Sequence, residues 1–212
     1  MTSPASRFEP VALGHASRLL NHGPTVWVTS AHEGRRNVMA AAWSMPVEFT
    51  PPRVAVVIDK RTYTYELVQA SGTFGLVVPA AGLADATYAF GSSSGRDFAA
   101  AKGRSSAAAP ADKFAACGIA VDRIGPLLGM PLVERGCLAW LECRLIPEPH
   151  AQQAYDTCFA EVVAAAADAR AFAHGRWLPR PSEDALDLHT LHHLGGGLFA
   201  VAGRTVQART PG

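Results

Sequence analysis

The chain is expected to fold as a mainly β protein with helices, an α+β arrangement, and three stretches carry that expectation. Thr25-Val26-Trp27-Val28-Thr29-Ser30 is β-branched and aromatic, and a turn separates it from a second apolar run, so the pair reads as a β-hairpin. Arg53-Val54-Ala55-Val56-Val57-Ile58 is almost unbroken in its apolar character, as in a strand covered on both faces. Residues 82–118 are rich in Ala, Ser and Gly, a composition that favours a helical layer over more sheet. At 212 residues the chain suits one decorated domain with a full core.

Taken in order, residues 1–24 form a leading segment punctuated by Pro4 and Pro10 and closed by a turn at His22-Gly23-Pro24. The domain proper spans 25–212. After the first strand, His32 to Asn37 is the turn and Val38 to Trp43 the returning strand. Pro51-Pro52 breaks the chain before the buried strand. Thr62 to Ala70 reads as a helix, with Thr64 able to cap its first turn and Gly72 stopping it. Thr73 to Val78 is a further strand.

Within 82–118, Leu83 to Phe90 and Ala111 to Cys117 are helical, and Gly91-Ser92-Ser93-Ser94-Gly95-Arg96 is a polar loop between them. Cys137 to Ile146 is a strand ended by Pro147-Glu148-Pro149. The alanine run in Thr157 to Arg170 favours helix on propensity, while Cys158 to Val163 favours a strand; the strand is preferred because the sheet needs it. The tail carries a polar link at Pro179 to Glu183, the segment Leu188 to Leu194, three glycines and Leu198 to Val201.

Composition removes several function classes. Net charge is +1 with lysines and arginines dispersed, so no footprint for nucleic acid is expected, although one small anion needs only one or two cations and some backbone amides. No apolar run approaches the roughly 18 residues of a membrane span, and the N-terminus lacks a signal-peptide pattern, so a soluble cytoplasmic protein is expected. Cys117, Cys137, Cys143 and Cys158 form no CxxC pair. Cys137 and Cys143 could share a strand face, but about 20 Å of strand path prevents a bridge, and buried reduced thiols are expected.

Motif searches are mostly negative. There is no GxGxxG after a strand, no GxxxxGK[ST], no HExxH and no G-x-S-x-G elbow. Asp187, His189, His192 and His193 invite a metal reading, since His189 and His192 would share a helical face, but no distant partner pair has ligand spacing and no metal site is assigned. A ligand mouth or a dimer surface is the other use of these histidines. The Gly91 to Arg96 loop is either a neighbour of a phosphate or a solvated loop.

One ordered set of motifs is more informative. Thr29-Ser30 and Gly34 precede Asn37-x-Met39-x-Ala41-x-Trp43-Ser44-x-Pro46-Val47; Pro51-Pro52-x-Val54, Thr64-Tyr65-Glu66-Leu67-Val68 and Ser71-Gly72-x-Phe74 follow. In this order and spacing, from about Pro24 to Val163, the chain resembles the flavin reductase-like family of FMN-binding split β-barrels. That family includes flavoredoxins and the reductase components of two-component monooxygenases.

The resemblance implies a split barrel that binds FMN, with FAD the alternative, in a homodimer. It implies electron transfer from NADH or NADPH through the flavin to an acceptor, such as a redox or monooxygenase partner. Asn37, Val38, Met39, Ala40, Ala42 and Trp43 would line the flavin slot: small side chains let backbone approach a flat ring, Asn37 offers an amide and Trp43 an aromatic wall. Lys60, Arg61, Thr62 and Thr64, ahead of the predicted helix, would hold the 5′-phosphate. Ser94, Arg96 and Lys113 are further candidates at the phosphate or the reduced ring, against the alternative of solvated lid charges. A core strand beside a tryptophan, and a charged turn with an ordinary cap, are the competing readings of the first two groups. Many relatives carry a Gly-Asp-His run where this chain has Ala154-Tyr155-Asp156-Thr157. That departure leaves open a second role, a flavin-binding electron carrier without its own nicotinamide turnover.

Overall fold

A computed structural model describes residues 6–101, 112–179, 184–203 and 205–209. The elements run β1 (Phe8–Pro10), α1 (Leu13–Ala16), β2 (Val26–His32), β3 (Arg35–Ala41), β4 (Ser44–Phe49), β5 (Pro52–Val57), α2 (Tyr63–Ser71) and β6 (Thr73–Pro79). Helices α3 (Ala84–Ser92), α4 (Gly95–Ala101) and α5 (Lys113–Ala116) follow, then β7 (Arg123–Ile124), β8 (Pro131–Leu132) and β9 (Cys137–Ile146). The chain ends with α6 (Pro149–Tyr155), β10 (Thr157–Asp168), the pair β11 (Phe172–Ala173) and β12 (Arg176–Trp177), and the pair β13 (Leu191–Gly195) and β14 (Leu198–Val201).

One antiparallel sheet in the order β3-β2-β6-β9-β10-β5-β4 carries the fold, with β1 paired to β10. Val26 and Val28 of β2 share a buried cluster with Val54 and Val56 of β5, although three strands separate them in the sheet. Only a sheet rolled on itself brings them together, so the core is the interior of a barrel. The β4–β5 ladder extends one residue before β4, the Trp43 carbonyl accepting from the amide of Val57 at 3.0 Å.

The β2–β3 hairpin forms as expected, but its turn is shorter than the sequence suggests. Glu33 and Gly34, with φ of 48° and 74°, make a two-residue turn whose twist suits the strands, so pairing begins at His32 and Arg35. β2 alternates faces: Val26 and Val28 enter the barrel while Trp27 points outward. There Trp27 meets Phe90 edge-on at 4.9 Å, and its Nε1 donates to Thr87 Oγ1 at 2.9 Å. This second cluster, with Phe114, Leu132 and Trp140, fixes α3 and α5 against the outside of the barrel.

Several local expectations change. Thr62, not Thr64, caps α2: its side chain accepts from the Tyr65 amide, and Gly72 ends the helix at φ 68°. Gly95 and Arg96 open helix α4 instead of belonging to a loop. Residues 102–111, part of the expected helical layer, lie outside the described residues. Pro149 starts α6, where a first-turn proline loses no hydrogen bond. A short 3-10 turn ends at Leu188 and residues 189–194 are not helical, so His189 and His192 share no helical face; β13 pairs with β14 instead.

The alanine-rich segment is strand β10, paired with β5 on one side and β9 on the other. Ala160, Ala165 and Ala167 are buried in the barrel core, and tertiary pairing overrides helix propensity. Cys137 opens β9 and Cys143 lies within it, but they do not share a face. The register slips between Val78 and Pro79 opposite β9, placing Cys137 in the outer cluster and Cys143 in the barrel. All four cysteines are free thiols.

Candidate functional site

β3 is an edge of the sheet, and beside it opens a cavity of about 460 Å³ lined by β3, the start of α2, the α3–α4 turn and Lys113. Asn37 sits at its floor, only 2% exposed. Its Nδ2 donates to Thr64 Oγ1 at 2.9 Å, which ties the strand to the first turn of α2. Its Oδ1 is buried and accepts no hydrogen bond among the described residues. A Cβ on Gly95 would overlap that oxygen and crowd the ring of Tyr63, so glycine is what lets α4 close over Asn37.

Three cations face the same cavity: Arg61, Arg96 and Lys113. Arg61 is held by Asp59, its Nη2 lying 2.7 Å from Oδ2, and these hydrogen bonds bring the Asp59 carboxyl down to about 2. Arg96 donates to the Arg61 carbonyl at 2.6 Å and lies 3.5 Å from Glu66. Lys113 is the unusual member. It is 2% exposed and donates to the carbonyl oxygens of Phe90 and Ser93 at 2.6 and 2.7 Å, with no carboxylate within 4 Å among the described residues. Burial pushes its ammonium down to about 8. Asp112 caps α5 and pairs with Arg36 of β3, fixing where Lys113 enters.

Of the residues singled out by sequence, Asn37, Met39, Ala40, Arg61, Thr62, Thr64, Ser94, Arg96 and Lys113 converge on this cavity. Four others lie elsewhere. Val38 points into the outer cluster, one residue out of phase with Asn37. Ala42 lines a second cavity of about 370 Å³, which meets the first at Ala40, Gly91 and Ser92. Trp43 is 74% exposed. Lys60 turns away, donating to the Gln153 carbonyl at 2.7 Å and pairing with Asp156 at 3.3 Å.

Sequence reasoning missed Asp59, Tyr63 and Phe90 at the cavity. Asp59 and Tyr63 flank the basic residues and could have been found from that adjacency. Phe90 had no local signal, since the tertiary fold alone brings α3 beside β3.

The site therefore combines a cationic end, hydroxyls, a buried carbonyl oxygen in need of a donor, and small side chains along a strand. Such a set can hold an anionic group at one end and a flat polar ring along the strand. This defines the class as a rolled-sheet protein with a small-molecule slot on its edge strand. The chain belongs to the flavin reductase-like family: residues 18–181 match the family model described as "Flavin reductase like domain".

Three proteins illustrate the likeness. An uncharacterized Escherichia coli protein, YddH, is 56% identical over 205 residues, covering 96% of this chain and 99% of that protein. The solved structure of an FMN-binding domain of a flavin reductases-like enzyme from Shewanella baltica is 38% identical, covers 98% of this chain and 100% of its own, and has a TM-score of 0.84. Flavoredoxin of Desulfovibrio vulgaris, at 21% identity and a TM-score of 0.67 over 88% of this chain and 90% of its own, shares the fold. The expected mainly β architecture with helices is thus that of the flavin reductase-like split barrel.

Proposed function

We propose that the chain binds FMN non-covalently in the β3 cavity and passes electrons from NADH or NADPH through it to an acceptor. The observation that carries this reading is the convergence of Arg61, Arg96 and Lys113 with Thr62 and Thr64 at one end of a slot whose strand side is Asn37, Met39 and Ala40. The cations and hydroxyls suit a phosphate, and the unpartnered Asn37 Oδ1 suits a ring or ribityl donor. The Shewanella baltica relative, described as FMN-binding, supports the choice of flavin. When bound, FMN supplies reversible one- and two-electron chemistry. The chain's residues orient it, neutralise its phosphate and favour an anionic reduced ring.

A second reading, an electron carrier without its own nicotinamide turnover, is favoured by one feature. The turn after α6 reads Tyr155-Asp156-Thr157, with Asp156 in a left-handed conformation bonded to Lys60, and no histidine stands there. Stopped-flow mixing with NADH and with NADPH separates the two. Bleaching of the bound flavin near 450 nm on a catalytic timescale supports the reductase; its failure with both donors sinks it. Mass analysis of released cofactor decides FMN against FAD.

We place a homodimer interface on β4. Trp43, just before β4, and Met45 and Val47 within it are exposed at alternate positions and form an apolar stripe beside the Ala42 cavity; Phe49, past the register slip between Pro46 and Glu48, is exposed on the other face. Among the described residues, no helix is long and apolar enough to cross a membrane, and a cytoplasmic location is part of the same reading.

A further inference from the structure

β10 pairs with β5 as far as Glu161 and with β1 from Ala166, and its register with β9 skips Val163. Val163 therefore stands opposite no strand residue on either side, and a bulge of this kind re-aims the side chain it carries. It lines a groove of about 390 Å³ whose other walls include Phe8, Val11, Leu13, Trp140 and Ala164, with Pro126 at the rim. The rim is fixed from beneath, because the buried Glu142 accepts from the amides of Leu127 and Leu128 at 2.8 Å each. Phe8, Val11 and Leu13 precede residue 18, so this wall lies outside the segment that defines the family. The groove shares no lining residue with the β3 cavity or the Ala42 cavity.

At Ser6, Phe8, Arg123 and Glu134 the groove meets a charged cavity of about 530 Å³. The carboxylates there are already engaged. Asp122 accepts from the amides of Glu134 and Arg135 at 2.7 and 3.0 Å, Glu134 accepts from Ser6 Oγ at 2.6 Å and Trp140 Nε1 at 3.2 Å, and Arg170 holds both Asp168 and Asp187. The other arginines are not. The guanidiniums of Arg7 and Arg135 have no partner among the described residues, and that of Arg123 has only Glu134, its Nε lying 3.8 Å from Oε1, beyond hydrogen-bond reach. Glu134 lines both spaces and its Oε1 also receives Trp140, so this contact places the Arg123 guanidinium at the seam between them. The backbone seats it there too, since Arg123 pairs with Leu132 and its neighbour Asp122 is pinned to the 134–135 amides.

We infer that this groove binds an amphipathic carboxylate of the fatty-acid kind, its head on the Arg123 guanidinium and its chain along Val163, Ala164 and Trp140. An apolar groove ending at a guanidinium whose terminal nitrogens are unspent suits one negative head, because the arginine fork meets a carboxylate with two parallel hydrogen bonds. Arg7, Arg123, Arg135 and Arg170 face Asp122, Glu134, Asp168 and Asp187 across the charged cavity, so the cations have no excess over the carboxylates. A head with one charge is therefore favoured over a phosphate with two. The site does not depend on the flavin reading.

Amide NMR titration of the full chain with octanoate, hexanoate and 1-octanol tests this. Octanoate is expected to shift the amides of Phe8, Arg123 and Ala164 saturably, with hexanoate about tenfold weaker for the loss of two methylenes and 1-octanol weaker than octanoate for the loss of its charge. Arg123→Gln, at a half-exposed position, should weaken octanoate about tenfold and leave 1-octanol unchanged; Arg123→Lys should restore part of the loss. No saturable shift at the groove, equal binding of octanoate and 1-octanol, or indifference of octanoate to Arg123→Gln overturns the inference. Displacement of octanoate by FMN also overturns it, since the anion would then sit in the β3 cavity. If FMN produces no shifts at Gly95 and Lys113 while octanoate still binds, the flavin reading fails and this site stands.

Discussion

Asn37 donates from Nδ2 to Thr64 Oγ1, and its other amide atom, Oδ1, is buried beneath Gly95 with no donor among the described residues. One side chain thus joins β3 to α2 and leaves an acceptor at the floor of the cavity. Asn37→Ala removes that bond and strands the Thr64 hydroxyl, so stability should fall by about 1–2 kcal/mol in urea unfolding. In a double-mutant cycle with Thr64→Val the coupling should be about 1 kcal/mol, and a coupling near zero would show that the bond does not stabilise the fold.

Lys113 carries a pH signature. Its ammonium titrates near 8 when folded and near 10.5 as an ordinary lysine, so between these values the unfolded chain binds more protons. The cost of burying the charge is fully present below about pH 8. Stability of the flavin-free protein should therefore rise as pH climbs from 8 toward 10.5. A bound phosphate favours the charged form, so FMN affinity should fall over the same rise. Lys113→Met is expected to abolish both trends in chemical denaturation and in FMN fluorescence titration, and to weaken FMN by about tenfold at pH 7.

The β4 stripe predicts an oligomer. Trp43 and Met45, on one face, are 74% and 57% exposed, more than isolated apolar side chains need to be. Light scattering should report a dimer for the natural chain and a monomer for Trp43→Arg combined with Met45→Arg. Buried aromatic anchors are often worth about 2 kcal/mol or more each at an interface. A natural chain that is monomeric at micromolar concentration would remove the assignment.

Thiol accessibility checks the packing. Cys137, Cys143 and Cys158 are buried, and burial pushes Cys158 up to about 11 and the other two above the ordinary thiol range. Cys117 is half-buried, and partial burial raises its thiol as well. Ellman's reagent at pH 8 should modify no more than Cys117 in the native protein and all four cysteines in denaturant. Rapid native reaction of a second thiol would contradict the β9 and β10 packing.

The edge strand, the capped helix and the cationic approach to it were legible because they are local. A β-branched run, a threonine before an apolar segment with glycine after it, and basic residues beside that cap each announce themselves over a few positions. Lys60 and Arg61 show the limit of such reading. Adjacent in sequence and equal in charge, they diverge because Arg61 is held by Asp59 at the cavity while Lys60 is drawn to Asp156 and the Gln153 carbonyl at the end of α6. Val38 diverges from Asn37 because a strand alternates its faces, while Trp43, past the end of β3, lies opposite Val57 of β5 and faces solvent.

By itself the sequence determined the kind of sheet, the hairpin that bears the slot and most of the residues around it, since periodicity and capping act over one turn or one strand. Only the tertiary structure decided that Cys137 and Cys143 face opposite ways and that a C-terminal hairpin walls a second chamber. Each of those depends on a contact between segments far apart in the chain, where pairing and packing outweigh local preference.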